Sequence, residues 1–550
     1  MCWLDKVVNP NFSHADLRDF GMAAVATAIR INAHSTSDNF LLRMTTADLN
    51  STFTGRNKDK YLTTQTALTQ VFAAALIVHV CIWVVLPLFF HSNAALDMIE
   101  GLAWGKEWQL GYEKDPPLFP WLIYTITLWS GKKLWISYLA GQLCVATVFF
   151  SVWQLGRRIA SEKEALVGAL LLEGVYYFNL PSLEFNDILL QMPFAALFGW
   201  LLHKAIIENR LRDWFFSGIV ASLGLWSRYS MGACILPLAL LVVLHPAARR
   251  RLASPGPWLL MGTSTVLFLP HFYWMITSNF ISIKYVGNRA PVVLDAVSFI
   301  EETFSFLGAQ LMALLPMLAV TVMLWRWRSS RSSFWQRWQN FDFAYLAVLS
   351  LGPLLFSLTL SLVTTRPLRA MWGANLWSFI GLFAVVLLQP LLTDKRMHKL
   401  LRAWVIVCLL PVAFFLAEKH FATLVTGNEK NVDFPGQELG RKVNERWRAA
   451  TGQPLKYVVG DTWSAGNVSF YADDRPSAIF THGDFRICPW VDLHQLERAG
   501  AILLWDVKEE GSALPPHLAE KFPKAVADSF ITVEGKRPHQ FGIAFLLPQS

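Results

Sequence analysis

The chain has 550 residues, of which 54% are hydrophobic and only 16% are charged, and its mean hydropathy is +0.36. In a soluble globular chain about a quarter of the residues are charged, so this composition excludes that class. The chain is also too apolar to be disordered. The net charge is +8, but the basic residues stand in short loops between apolar runs, where they set membrane orientation. The composition therefore predicts a polytopic α-helical membrane protein with no nucleic-acid partner.

Residues 1–62 are polar and contain no apolar core of the kind that a signal peptide needs. We expect a disordered cytoplasmic leader, or an upstream stretch that is not translated, and assign it no function.

Long uncharged runs recur between residues 63 and 420, and they predict a transmembrane domain over this range. Eleven runs approach the length of a membrane-crossing helix, with some short enough to require local thinning of the bilayer. The predicted spans lie near 66–90, 134–155, 164–178, 187–206, 213–227, 231–247, 257–278, 303–325, 342–363, 371–392 and 400–417.

The stretch 118–130 is apolar but too short to cross a membrane, and it decides the topology. If it does not span, five basic loops fall on one side, which the positive-inside rule makes cytoplasmic. We therefore predict an interfacial or re-entrant helix there, although Lys132 and Lys133 then lie outside. The N-terminus is expected inside, with the first periplasmic loop (91–133) and the C-terminus outside. The basic loops carry Arg157, Arg158 and Lys163; Lys204, Arg210 and Arg212; Arg249, Arg250 and Arg251; Arg326, Arg328, Arg331 and Arg337; and Lys395, Arg396 and Lys399.

The C-terminal region, 421–550, is polar, and its apolar runs shorten to strand length. Alternating strand and helix patterns predict a small periplasmic α/β domain. No Gly-rich phosphate loop is present, so a structural or acceptor-docking role is favoured over a second catalytic site. The predicted strands are 457–460, 477–480, 501–506, 529–533 and 541–547, and the predicted helices are about 436–450, 492–498 and 514–523.

Two pairs of carboxylates stand near membrane depth, where charged groups are costly and usually functional. Asp97 and Glu100 follow the first span, and Glu184 and Asp187 begin the fourth. Each pair is spaced i, i+3, so on a helix its members would share a face. Paired acids on one cavity suit general-base catalysis or metal binding, while a helix N-terminus is the structural alternative.

Basic residues also occur on the predicted outer side, each beside a helix end. Guanidinium groups bind phosphate through paired hydrogen bonds, so these positions are candidates for holding a phosphate-bearing lipid. Snorkelling to lipid headgroups is the alternative. The residues are Arg228, Lys284, Arg289, Arg366 and Arg369.

The segment LDMIEGLAWGKEWQLGYEKDPPLFPW, from Leu96 to Trp121, resembles the first periplasmic loop of glycosyltransferase family 39. That family includes protein O-mannosyltransferases and the aminoarabinose transferase of lipid A. LGRR at 155–158, Asn186-Asp187, GLWSRYS at 224–230 and PLRAMWGANLW at 367–377 are similar to further family segments. The tail sequence at 458–477 resembles the periplasmic domain of the bacterial branch, so the resemblance runs from about residue 66 to the end.

The resemblance implies a GT-C fold in a bacterial inner membrane and a sugar donor carried on a polyprenyl phosphate. Asp97 would be the general base, Asp187 would support the acceptor or the base, and attack at C1 would invert the anomeric centre. The acceptor would be lipid A, core oligosaccharide or a secreted protein. Membrane lipids would be further partners of the enzyme. The residues expected to bind substrate are Glu100, Tyr112, Lys114, Asp115, Arg228, Tyr229, Lys284, Arg289, Arg366 and Arg369.

The chain departs from the family pattern at two positions. Asp115 stands before Pro116-Pro117, where the family commonly has a basic residue, and Lys114 is one step earlier. Either Lys114 takes the place of that basic residue, or the donor phosphate is held by other groups. The additional acid could instead bind a divalent metal ion, although no cofactor or metal ligand is assigned. Arg228 replaces a family Lys and keeps its charge.

Two other classes remain as alternatives: a transporter or flippase of a lipid-linked sugar, and a non-catalytic membrane scaffold. Transporters tend to show internal repeats and charges at the bilayer midplane. The two halves of this chain show no repeat, and its acids lie near an interface. The sequence therefore favours an enzyme.

Overall fold

The structure is a computed structural model that describes residues 55–324, 334–425, 430–481 and 483–549. The predicted leader up to residue 54 and the loop arginines Arg326, Arg328 and Arg331 lie outside the described residues. From Gly55 the chain is already helical, so the first span begins with a polar extension inside the predicted leader.

The first half of the membrane part consists of ten α-helices with short 3-10 segments between them. The helices are α1 (Gly55–Leu88), α2 (Leu96–Lys106), α3 (Leu118–Trp129), α4 (Trp135–Ile159), α5 (Glu162–Leu170), α6 (Asp187–Glu208), α7 (Leu211–Ser227), α8 (Gly232–Leu244), α9 (Pro246–Arg249) and α10 (Pro255–Thr277). The 3-10 segments are Leu171–Gly174, Tyr176–Phe178, Leu180–Leu183, Tyr229–Met231 and Arg250–Ala253.

The described residues of the second half form six α-helices, beginning with a short outer helix. These are α11 (Ile281–Arg289), α12 (Ala296–Leu324), α13 (Phe334–Trp338), α14 (Phe341–Thr364), α15 (Ile380–Leu388) and α16 (Asp394–Val425), with a 3-10 segment at Ala370–Leu376.

Seven described helices are long and apolar enough to cross a membrane, and the number rises to ten if each of three bent helix pairs is one span. The bends are 84° near 175, 86° near 245 and 59° near 378. The predicted span at 213–227 is α7, whose 17 residues are short for a crossing. A multi-pass helical protein is confirmed, whereas the count of eleven is not.

The first outer loop folds into two short helices, α2 and α3. α3 has 12 residues, a length of about 18 Å, which is shorter than the hydrocarbon core of a bilayer. Gly101 of α2 faces α3 so closely that a Cβ there would lie 2.5 Å from the Phe119 ring. The two helices therefore pack as a unit over the bundle.

The described residues of the C-terminal part begin with the 3-10 turn Asn431–Asp433 and form one six-stranded sheet with helices around it. The elements are α17 (Gly436–Thr451), β1 (Tyr457–Val459), α18 (Thr462–Tyr471), β2 (Ser477–Ile479), α19 (Leu493–Ala499), β3 (Ala501–Asp506), α20 (Val507–Glu510), α21 (Pro516–Lys521), β4 (Val526–Ala527), β5 (Ile531–Glu534) and β6 (Pro538–Leu546). The strand order is β2-β1-β3-β6-β4, and β5 also pairs with β6. β1 is parallel to β2 and β3, while β6 is antiparallel to its partners.

All five predicted strands and all three predicted tail helices have counterparts here. α17 shows why: Leu439, Val443 and Trp447 recur every four residues and are all buried against the sheet. α18 was not expected. Its residues 464–470 are buried all round, so it lacks the apolar stripe that identifies an amphipathic helix.

Two hydrophobic cores meet at α2. Met98, Ile99 and Leu102 belong to the core of the membrane helices, whereas Ala103 and Trp104 belong to the core of the C-terminal sheet. α2 is thus buried between the two parts of the molecule, and the acids that it carries lie where both parts meet.

Candidate active site

Asn186 joins the two helix starts that carry the predicted catalytic acids. Asn186 is the N-cap of α6, and its side-chain oxygen accepts a hydrogen bond of 3.0 Å from the backbone N–H of Leu189. Its side-chain amide donates to the Asp97 carboxylate, in the first turn of α2, at 3.2 Å. Asn186, rather than Asp187, therefore caps α6, and Asp97 is held between two helix N-termini that favour its negative charge.

Glu184 does not share a helix face with Asp187, because α6 begins only after the Asn186 cap. Its backbone is extended, and its carboxylate accepts from the backbone N–H of Asp97 at 3.3 Å. The i, i+3 expectation is therefore wrong for this pair, but the fold still brings Glu184 beside Asp97. Asp97 and Glu100 do lie on one helix, as predicted.

Lys114 forms an ion pair with Glu100, with 2.6 Å between Nζ and the carboxylate. The ammonium also lies 5.8 Å from the centroid of the Trp104 ring and 5.7 Å from that of the Tyr285 ring. Such an aromatic setting stabilises a cation. Tyr285 belongs to α11, so this outer helix lies against the acids.

Arg228 follows the last turn of α7 and links two further acids. Its guanidinium contacts the buried carboxylate of Asp187 directly and lies 3.7 Å from the carboxylate of Asp115. Asp115 thus stands beside a cation, although a basic residue is the more common choice at its position in the resembled family. The fold therefore gathers Asp97, Glu100, Lys114, Asp115, Asp187 and Arg228 into one acidic cluster.

The cluster contains more carboxylates than cations, and this imbalance acts on their protonation. Burial raises the pKa of Glu100 to about 7, and the negative charges of Asp97 and Asp115 add to the effect while Lys114 opposes it. Burial, reinforced by Asp97, also raises the pKa of Glu184 to about 7. Burial raises the pKa of Asp115 against the opposing charge of Arg228. Glu100 and Glu184 can therefore hold or release protons near neutral pH.

Tyr229 lies next to Arg228, but its hydroxyl is bonded on both sides. It lies 2.9 Å from His271 Nε2 and 2.8 Å from the Ser282 hydroxyl. His271 Nδ1 lies 2.6 Å from the carbonyl oxygen of Leu110, which can only accept, so this nitrogen is the donor and Nε2 accepts from Tyr229. Tyr229 therefore joins the turn between α7 and α8 to α10 and α11, and His271 in turn joins α10 to the first loop. The contact of Tyr229 with substrate stays a prediction.

Tyr112 packs inside the first loop. Its ring is buried and stacks on Trp104 at 5.2 Å, and its hydroxyl donates to the Trp104 carbonyl at 2.8 Å. These contacts support the loop, and the predicted contact of Tyr112 with substrate stays a prediction.

The outer cations around α11 divide into two groups. Arg366 donates to the carbonyls of Gly287 and Ala290, and Arg369 donates to that of Arg289 at 2.7 Å, so both hold the end of α11 in place. Lys284 and Arg289 have exposed side chains on α11 itself. Tyr285, on the same helix, lies near Lys114, so α11 lies beside the acidic cluster.

Within the described ranges, no group of three or more His, Cys, Asp or Glu side chains is arranged to hold a metal ion. The geometry thus gives the open divalent-metal alternative no ligand set. A cavity of about 910 Å³ lies between α8 and α14, lined by Leu240, His245 and Phe356 among others. It contains none of the predicted site residues, so the acidic cluster and not this cavity defines the candidate site.

Sequence reasoning missed three contributors: Glu184 and Asn186 as partners of Asp97, and His271 as the link to the first loop. Asn186 preceding a helix with Asp187 was a cap signal that could have been used. Nothing in the spacing could have placed His271, since its contact with Leu110 joins residues 161 positions apart.

The chain is similar to several known proteins in sequence and in fold. Residues 114–274 match the family model described as dolichyl-phosphate-mannose-protein mannosyltransferase. The chain is 22% identical over 491 residues to the lipopolysaccharide core galacturonosyltransferase RgtA of Rhizobium johnstonii, covering 86% of this chain and 94% of the relative. It is 21% identical over 448 residues to RgtB of the same organism, covering 78% and 86%.

Among solved structures, ArnT from Cupriavidus metallidurans bound to undecaprenyl phosphate superposes with a TM-score of 0.55 and 13% identity, over 88% of this chain and all of that one. The same enzyme in its apo state gives a TM-score of 0.52 over 90% of this chain. The fold is therefore the GT-C fold. The chain is a membrane glycosyltransferase of the GT-C class, similar to protein mannosyltransferases and to ArnT. The predicted class is confirmed, and the enzyme is favoured over the transporter and the scaffold.

Proposed function

We propose that this enzyme transfers a sugar from a polyprenyl-phosphate donor to a hydroxyl of lipopolysaccharide, in the lipid A or core region, with Asp97 as general base. The observation that carries the proposal is the position of Asp97. Its half-buried carboxylate is held by Asn186 and flanked by the Lys114–Glu100 and Arg228–Asp187 pairs.

The proposed reaction is a single displacement. The Asp97 carboxylate accepts the proton of the acceptor hydroxyl while that oxygen forms a bond to C1 of the donor sugar. The bond between C1 and the phosphate oxygen breaks, and polyprenyl phosphate leaves with the electron pair. Attack opposite the leaving group inverts the anomeric centre.

The cations of the site would stabilise the charge that develops on the departing phosphate. Arg228 and Lys114 are nearest to the acids, and Lys284 and Arg289 on α11 are exposed for contact with the lipid phosphate. Asp187, Glu100 and Asp115 would keep Arg228 and Lys114 in place, and the protonatable Glu100 and Glu184 would limit the negative charge beside Asp97.

Two similarities support the choice of donor and acceptor. ArnT was solved with undecaprenyl phosphate, which supports a polyprenyl-phosphate carrier. RgtA and RgtB are named core galacturonosyltransferases, which supports a hexuronic acid as the sugar and a lipopolysaccharide as the acceptor over a secreted protein. We further propose the bacterial inner membrane, with the N-terminus inside and the C-terminal domain in the periplasm, from the loop charges.

The test uses purified protein in nanodiscs, a radiolabelled polyprenyl-phosphate galacturonate and a lipopolysaccharide core acceptor. Wild type is compared with Asp97→Asn, which keeps the shape and removes the base. Glu301→Gln, an exposed acid on α12, is the matched control. We expect transfer by wild type and by Glu301→Gln, and a loss of roughly 10²- to 10⁴-fold in Asp97→Asn.

Full transfer by Asp97→Asn would exclude this residue as the base. Transfer from a neutral hexose donor but not from the uronate would overturn the choice of sugar. An equal rate with and without EDTA is expected, and loss of activity that only a divalent cation restores would introduce a metal that the described side chains do not predict.

A further inference from the structure

We propose that the C-terminal domain positions the catalytic helix α2, and that Gly466 and Asn467 of α18 are the positioning residues. The inference rests on the proposed role of Asp97 and gives the domain a part in catalysis that requires no second active site. Three contacts along the length of α2 carry it.

The first contact precedes the start of α2. The Asn93 side chain is fully buried; its amide donates to the Asn467 side chain at 2.9 Å, and its oxygen accepts from the Tyr471 hydroxyl at 2.8 Å. The backbone N–H groups of Ser92 and Asn93 both donate to the Val432 carbonyl at 2.9 Å. The entry to α2, four residues before Asp97, is thus bonded to the C-terminal domain through both its side chain and its backbone.

The second contact is in the middle of the helix. Gly466 faces Ile99 so closely that a Cβ would lie 2.7 Å from the Ile99 Cγ2 methyl. Ile99 follows Asp97 by two residues, which places it about 200° away around the helix. The side of α2 that rests on α18 is therefore roughly opposite to the side that carries Asp97, and a shift at Gly466 moves the carboxylate.

The third contact is at the end of α2. The Lys106 ammonium donates to the Arg475 carbonyl and lies 3.2 Å from the Ser477 hydroxyl at the start of β2. Lys106 is the last residue of α2, whose 11 residues span about 17 Å. A helix fixed at both ends and in the middle has little freedom to tilt, so the C-terminal domain sets where Asp97 lies relative to Asn186.

The decisive experiment introduces and then relieves one clash. Gly466→Ala pushes against Ile99 Cγ2, and Ile99→Leu removes that methyl while conserving volume. Transfer is measured against donor concentration in nanodiscs for wild type, each single variant and the double variant. We expect Gly466→Ala to lower kcat roughly tenfold to a hundredfold with KM changed by no more than about twofold, because a small displacement of a reacting group is costly.

We expect the double variant to regain most of the lost kcat, and Ile99→Leu alone to stay close to wild type. A purely structural role for Gly466 would lower the amount of folded enzyme and leave kcat per folded molecule unchanged. Wild-type kcat in Gly466→Ala, or a double variant as slow as the single one, would overturn the inference.

A second measurement does not depend on activity. Hydrogen–deuterium exchange of peptides covering residues 94–106 is compared for wild type, Asn467→Ala and Asn444→Ala. Asn444 is a buried asparagine of α17 that bonds within the C-terminal domain, so it is the matched control. We expect faster exchange in α2 for Asn467→Ala only.

Equal exchange in Asn467→Ala and Asn444→Ala would contradict the inference. If wild type transfers no sugar, the proposed function fails, and the exchange comparison still decides whether α18 holds α2.

Discussion

The side-chain amide of Asn186 donates a hydrogen bond of 3.2 Å to the carboxylate of Asp97. The two residues are 89 positions apart and lie at the starts of α6 and α2. Because Asn186 also caps α6, the orientation of the proposed base depends on where a membrane helix begins.

The Asn186 bond can be tested without removing the cap. In Asn186→Asp the side chain still accepts from Leu189 but no longer donates to Asp97, and a further negative charge is added. Asn186→Ser also keeps a capping oxygen but stays neutral. We expect unfolding temperatures near wild type for both, and a loss of kcat of roughly tenfold to a hundredfold in Asn186→Asp, with a smaller loss in Asn186→Ser. Equal activity of Asn186→Asp and wild type would show that this bond is not needed.

The raised pKa of Glu184 predicts a stability that depends on pH. Its pKa rises from 4.5 to about 7 in the folded protein, so the folded state binds the proton more tightly than the unfolded state. The associated stability is present below about pH 4.5 and is lost as the pH rises through about 7. Glu184→Gln keeps an acceptor for Asp97 and cannot ionise. We expect it to stabilise the protein at pH 8 by roughly 1–3 kcal/mol relative to wild type, and little at pH 5.

Thermal unfolding at both pH values checks this expectation, with Glu301→Gln as an exposed control. A gain of the same size at pH 5 and pH 8 would mean that ionisation of Glu184 is not its cause.

Arg228 is expected to be the most sensitive cation. Asp187 is 5% exposed, and removing the partner of a buried charge typically costs about 3–5 kcal/mol. We expect Arg228→Gln to lower the unfolding temperature and to reduce kcat/KM on the order of a hundredfold or more. Arg228→Lys keeps the charge without the guanidinium fork, so its loss is expected to be smaller, on the order of tenfold.

Arg210→Gln is the control for Arg228, because its exposed side chain pairs with Glu208 at the far end of α6. Wild-type kinetics and stability in Arg228→Gln would remove it from the site.

Tyr112→Phe separates the packing role of this side chain from the predicted contact with substrate. Loss of the buried hydrogen bond to the Trp104 carbonyl is expected to cost about 1 kcal/mol of stability. The KM for the donor should not change. A raised KM at an unchanged unfolding temperature would restore Tyr112 as a binding residue.

Much of the site could be predicted because the charge of a residue type is known from the sequence without any structure. Asp97, Glu100, Asp187 and Arg228 stood out as charged groups beside apolar runs, where charges are costly. The sequence did not show which of the charged residues pair with one another. Lys114 pairs with Glu100, and Asp115 lies beside Arg228, only because the loop 107–117 returns over α2 and α7.

The sequence alone determined the class of fold, the helical membrane domain and the strands of the tail, because burial imposes a hydrophobic period or run length that can be seen locally. The tertiary structure decided three matters: that Tyr112 supports the first loop and Tyr229 bonds to α10 and α11, that α18 is a helix, and that α2 lies between two cores. Each depends on contacts between distant segments, such as Gly466 against Ile99 or His271 with Leu110. A local pattern contains no information on which distant segment completes a side chain's surroundings, so these contacts appear only once the chain is folded.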